Sequence, residues 1–248
     1  MQGDDLRHVD WNIYGRLDAL YLKLFQEQEE LTVHLLVDAS RSMSFGTPAK
    51  IDLACKLAAA IGYIAVMGFD RVAVEAFRTG DEAGMATQTL RPVRGRPGVR
   101  KLFSFIESVR ADGVTELERA CRSYALRNRS KGVVILFSDF LDPVGFEGAL
   151  KRVQQIGGDA FAVHILSPDE LDPTVSGDLR LVDSETMSHA EISVTPSLLK
   201  RYKKNVQGFC ESIRRFCLAR GIGYNLVRSD VPFERFVLEA LRGGGLLR

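Results

Sequence analysis

The stretch LTVHLLVDASRS, residues 31–42, runs apolar as far as an acid and then presents two hydroxyls spaced two residues apart. Leu31, Val33, Leu35, Leu36 and Val37 are strand formers, and a short apolar run of this kind reads as a buried strand of an α/β sheet. Asp38 then falls at the carboxyl end of that strand. Ligands bind at this edge of open α/β sheets, because the loops leaving neighbouring strands open a crevice there. Asp38, Ser40 and Ser42 bring one carboxylate and two hydroxyl oxygens into a single turn. Oxygen-only donors of this sort suit a hard divalent cation such as Mg²⁺, with Mn²⁺ or Ca²⁺ as substitutes.

Two distant segments can complete such a site. Thr115 lies in DGVTEL, residues 112–117, a glycine-containing turn that opens an apolar-periodic helix. Asp139 ends a second strand, GVVILFSD, residues 132–139. Two strands of one parallel sheet bring both acids to the same edge. The set Asp38, Ser40, Ser42, Thr115 and Asp139 resembles the metal-ion-dependent adhesion site of von Willebrand factor A domains, which pairs an Asp-x-Ser-x-Ser loop with a distant Thr and a distant Asp. The plainer alternative is that these residues are turn formers and helix caps satisfying orphan amides.

The totals bound the function class. A chain of 248 residues with 46% hydrophobic and 26% charged residues can bury one large α/β core, and no composition break forces a second domain. A net charge of +1 argues against a nucleic-acid partner, which calls for a clearly basic domain or face. Cys55, Cys121, Cys210 and Cys217 show no metal-binding spacing, and a reducing, cytoplasmic setting is expected. Residues 1–10 are polar and charged, so no signal peptide is expected. The most apolar helix, Ile51 to Phe69, carries Asp52 and Lys56 and reads as a sheet-packing helix rather than a membrane segment. The abrupt charged opening fits a chain that begins part-way through a longer protein, whose missing segment could tether it to a membrane.

Residues 1–30 read as an arm and edge strand packed on the core, and residues 31–248 as the main domain. In the arm, Arg7 can pair with neighbouring acids and Trp11 can anchor it. The string GDDLRHVDWNIYGR, residues 3–16, closely resembles the domain of unknown function 58 family, bacterial and archaeal proteins with a von Willebrand factor A-like domain. The resemblance continues through DRVAVEAF, GVTELERA and ILFSDFLDP and covers nearly the whole chain. It implies a Rossmann-like fold with a mainly parallel central sheet and helices on both faces, as the strand–helix alternation also demands. It further implies a MoxR-type AAA+ ATPase as partner, since such proteins tend to be encoded beside these ATPases and to act as adaptors or chaperone-like factors.

Further along, a short strand is expected near Thr87–Leu90, then a basic loop holding Arg91, Arg94, Arg96, Arg100 and Lys101, read as solvated surface. Helices are expected near Gly98–Val109, Glu116–Arg127, Pro143–Gln155 and Pro196–Arg220. Leu179–Val182 and Ala190–Val194 read as a small hairpin or edge pair, and His164 as a core or edge histidine.

Common enzyme motifs are missing: no phosphate loop, dinucleotide fingerprint, nucleophile elbow or His-Glu-x-x-His is present. A metal-assisted hydrolase would want a base beside Asp38 and Asp139, and no His or Lys is evident there. The expectation is therefore a non-enzymatic binding module. Ser40, Ser42 and Thr115 would ligate Mg²⁺ directly, Asp38 and Asp139 partly through water, and a partner protein's Asp or Glu would complete the six oxygens. A metal-free scaffold is the competing expectation, with a metal-assisted hydrolase, in which Mg²⁺ near Asp38 and Asp139 activates water, as the less favoured alternative.

Overall fold

The computed structural model describes residues 31–79, 85–114, 116–128, 130–175, 177–182 and 189–242. The expected arm, residues 1–30, lies outside them, as does Thr115. The opening strand is β1, Thr32–Asp38, buried along its whole length. Its side chains alternate as a strand requires. Val33, Leu35 and Val37 enter one core, while Leu36 enters the other.

Helix α1, Lys50–Met67, follows, then β2, Arg71–Thr79, and β3, Met85–Val93. Next come α2, Gly95–Ser108, and α3, Leu117–Arg127. Strand β4, Gly132–Ser138, helix α4, Glu147–Gln155, and strand β5, Ala160–Leu166, continue the alternation. A single helical turn, α5, Pro168–Leu171, leads to β6, Gly177–Val182, and β7, His189–Val194. The long helix α6, Pro196–Leu218, strand β8, Gly223–Arg228, and helix α7, Phe233–Arg242, complete the described chain.

The main sheet has six strands in the order β3-β2-β1-β4-β5-β8. All neighbours are parallel except the edge pair β2 and β3. Apolar residues of α1, α2 and α7 fill the core on one face. Those of α3, α4 and α6 fill the other. This is the expected α/β architecture with helices on both faces. Strands β6 and β7 pair antiparallel as a separate two-stranded sheet, the hairpin of the two expected alternatives.

Two local expectations need correction. The strand expected at Thr87–Leu90 is longer and runs antiparallel along the edge of the main sheet. The expected basic loop is not a loop: Arg91 lies on β3, and Arg96, Arg100 and Lys101 lie on α2, which starts three residues earlier than expected. Pro97 falls in the first turn of α2, where its missing N–H costs no helical hydrogen bond.

Polar groups inside the sheet are paired across long sequence distances. Glu75, buried on β2, accepts from Arg127 Nη2 at 2.8 and 3.0 Å and from Thr89 Oγ1 at 3.1 Å. Burial pushes its carboxyl up despite the guanidinium. His164 on β5 is walled by Phe140 and Phe209, whose ring centroids lie 5.4 and 5.8 Å away, and its Nδ1 meets Tyr224 Oη at 2.9 Å.

These pairs generate two predictions. Arg127→Met leaves a buried carboxylate unpaired and should lower unfolding free energy by about 2 kcal/mol. A urea midpoint equal to wild type would show the pair to be energetically silent. Burial holds His164 down to about 4, below its ordinary 6.5. A lowered folded pKa means that protonation favours the unfolded chain, so stability is lost as pH falls from about 6.5 towards 4, by up to about 3 kcal/mol. His164→Phe should flatten the fall in urea midpoint over that window, and an unchanged slope would assign it to other groups.

Candidate functional site

Strands β1 and β4 are hydrogen-bonded neighbours in parallel register, Val37 opposite Phe137. Asp38 and Asp139 therefore leave adjacent strands at the same edge, as their positions after two apolar runs imply. Asp38, Ser40 and Asp139 are each 0% exposed, whereas Ser42 is half-buried. Asp38 Oδ1 accepts from the Ser40 amide at 3.0 Å, and Asp38 Oδ2 accepts from Ser138 Oγ at 2.7 Å. Ser42 Oγ donates to Asp139 Oδ2 at 2.7 Å and lies 3.1 Å from Ser40 Oγ. The Leu141 amide donates to Asp139 Oδ1 at 3.1 Å. Four of the five predicted residues thus form one oxygen cluster.

The fifth, Thr115, is outside the described residues, but the turn leading to it is tied to the same loop. The Arg41 amide donates to the Gly113 carbonyl at 3.0 Å and the Asp112 amide to the Ala39 carbonyl at 2.8 Å. Gly113 sits at φ +76, a left-handed conformation that glycine adopts without a Cβ clash. Just beyond Thr115, the Leu117 amide at the start of α3 donates to Asp142 Oδ2 at 2.8 Å. Asp142 thus caps α3 from the loop after β4.

The cluster is electrostatically tense. Burial first, and then the charge of Asp139, push the Asp38 carboxyl well above the ordinary carboxylate range. The backbone is tense as well: Phe140, directly after Asp139, sits at φ +57, uncommon for a bulky residue. Its amide donates to Ser138 Oγ at 2.9 Å, and its buried ring packs edge-on to His164.

No lysine near these acids is evident in the sequence, yet one is there. Lys50, the first residue of α1, is 0% exposed, and its Nζ donates to Asp139 Oδ2 at 2.7 Å and to Glu170 Oε1 at 2.5 Å. Burial alone would lower its pKa, but the charges of Asp139 and Glu170 outweigh burial and leave it above the ordinary value. The two carboxylates thus favour the charged form of Lys50, and its Nζ is committed to both of them. Glu170 spends its other oxygen on the Ser167 amide at 2.7 Å, as the third residue of a capping box. Ser138, Lys50 and Glu170 were missed from sequence. The string Ser167-Pro-Asp-Glu170 signals the cap, but nothing local signals the lysine's reach.

The donor set fits a hard divalent cation. It consists of oxygens alone, its two carboxylates repel one another, and Ser40 and Ser42 add neutral oxygens beside them. Among the described residues no group of three or more His, Cys, Asp or Glu is placed to hold a metal, so a centre here depends on its hydroxyls.

Comparison with known proteins agrees with the fold. An uncharacterized protein of Mycobacterium tuberculosis is 28% identical over 251 residues, covering 97% of this chain and 77% of that protein. Among solved structures, an aerotolerance-related membrane protein from Bacteroides fragilis superposes with a TM-score of 0.50 at 16% identity, covering 86% of this chain and 97% of that one. A von Willebrand factor type A structure from Catenulispora acidiphila matches 56% of this chain and 34% of its own, with a TM-score of 0.41 at 15% identity. Among the described residues no helix is long and apolar enough to cross a membrane. The family model for the protein of unknown function DUF58 matches residues 1–208, and the chain belongs to that family.

Proposed function

We propose that this chain is a divalent-metal-dependent protein-interaction module without catalysis of its own, working as an adaptor or chaperone-like partner of a MoxR-type AAA+ ATPase. The observation that carries the reading is the buried oxygen cluster of Asp38, Ser40, Ser42 and Asp139 at the open edge of the sheet. Ser40, Ser42 and Thr115 would hold Mg²⁺, with Asp38 and Asp139 behind them. Bound there, the ion would supply an exchangeable position with uncancelled positive charge, suited to an Asp or Glu of a partner protein. The same two loops carry exposed apolar side chains, Phe45 on one and Leu141 and Val144 on the other. Apolar side chains beside a polar focus are the composition of a protein-binding surface.

Two features support binding over hydrolysis. Lys50 Nζ is committed to two carboxylates, and His164 is enclosed by aromatic rings. Neither is placed to take a proton from water in the cleft. The ATPase partnership rests on the family resemblance. One observation favours the competing scaffold reading: Lys50 already supplies a cation to Asp139.

Thermal unfolding separates the two. With Mg²⁺ at a hundredfold excess over its dissociation constant, wild type should gain about 2.7 kcal/mol over chelated protein. Ser40→Ala/Ser42→Ala should lose that gain while leaving Lys50 paired. No Mg²⁺ response in wild type would favour the scaffold. For the partner, the same double variant should fail to co-elute with a purified MoxR-type ATPase that retains wild type. The variant is the better control because such ATPases themselves use Mg²⁺ with nucleotide. Equal retention would remove the cluster from the interface.

A further inference from the structure

Lys50 stands against local preference. A cation in the first turn of a helix meets the positive end of the helix dipole, and α1 has no side-chain cap to offset it. The ammonium is also fully buried, which is costly unless it is paired. Its two partners come from elements far away in sequence: Asp139 at the end of β4 and Glu170 in the turn after β5. The loop between Ser42 and Lys50 is seated on that same turn. Gly46, at φ +96, lies so close that an added Cβ would stand 2.6 Å from Ser167 Cβ. The loop that leads into Lys50 is thus packed against the turn that carries Glu170.

What it does there follows from the atom it touches. Asp139 Oδ2 accepts from both Lys50 Nζ and Ser42 Oγ. That oxygen faces Ser42, a residue assigned to the metal. An ammonium on it neutralises the repulsion with Asp38 and lowers the charge available to any second cation. Glu170 opposes this, drawing the same ammonium towards itself.

We propose that Lys50 is a resident counter-ion of the metal centre: it keeps the paired carboxylates assembled without metal and, by competing for Asp139 Oδ2 under the control of Glu170, sets how weakly the divalent ion is held. This inference rests on the metal-centre reading. It makes the site one that is folded in advance and exchanges its ion, so that partner capture can be reversible.

The test is Mg²⁺ titration by calorimetry, with thermal unfolding in chelator, on wild type and two variants. Lys50→Met/Glu170→Gln removes one positive and one negative charge, so the net charge of the cluster is unchanged and only the hold on Asp139 Oδ2 is released. It should bind Mg²⁺ about tenfold more tightly, in line with the effect of a neighbouring opposite charge on a carboxylate. Its melting temperature should drop below wild type in chelator and recover at saturating Mg²⁺. Glu170→Gln alone keeps the capping box, because Gln serves at that position. It leaves Lys50 wholly on Asp139 and should weaken Mg²⁺ binding several-fold. Identical Mg²⁺ affinity in all three proteins would overturn the role of Lys50 and leave the metal centre standing. No Mg²⁺ binding by any of them would overturn both.

Discussion

Two carboxylates held side by side, away from water, are the constraint around which this protein is arranged. Adjacent parallel strands deliver Asp38 and Asp139 to one edge, and neither is exposed. Like charges in that position are tolerated only where hydrogen bonds and opposite charge offset their desolvation. Every neighbour meets that need. Asp38 takes the Ser40 amide and the Ser138 hydroxyl. Asp139 takes the Ser42 hydroxyl, the Leu141 amide and the Lys50 ammonium.

Several departures from local preference gather at the same place. Phe140 adopts a left-handed backbone, a lysine starts a helix, and Gly46 lets one loop touch another where no Cβ would fit. Elsewhere much of the described chain follows the rules: continuous apolar runs in the central strands, Thr195 and Pro196 opening α6, and a left-handed Gly221 after its end, with Phe69, left-handed at φ +69 in the turn after α1, as an exception away from the cluster. Local choices that agree with the fold need no account beyond stability. Those that conflict with it persist where the surrounding structure over-determines them, which is characteristic of functional sites.

The two readings of the cluster, metal centre and scaffold, share one electrostatic problem and differ in which cation answers it. A tethered ammonium is permanent and carries one charge; a divalent ion is exchangeable and leaves an open coordination position. Only the second gives a partner's carboxylate something to bind. Membership of the DUF58 family and the mainly parallel six-stranded sheet supply the frame, and the exposed apolar residues beside the cluster face outward from the loops that form it.

Much of this could be read from the chain. An apolar run ending in Asp38, a second ending in Asp139 and two serines at alternate positions determined by themselves that a parallel α/β sheet would present oxygen donors at its open edge, because strand propensity and burial are local properties. The helix periodicities and the hairpin were legible for the same reason. The antiparallel edge strand was only partly so, since its polar residues give it a weak alternation and its pairing with β2 decides its length. Ser138, Lys50 and Glu170 were decided by tertiary structure alone. The bonds that Lys50 makes span 89 and 120 residues of sequence. Strand register and the packing of one loop on another bring those three elements together, and no local pattern encodes a contact whose partners meet only when the sheet is complete.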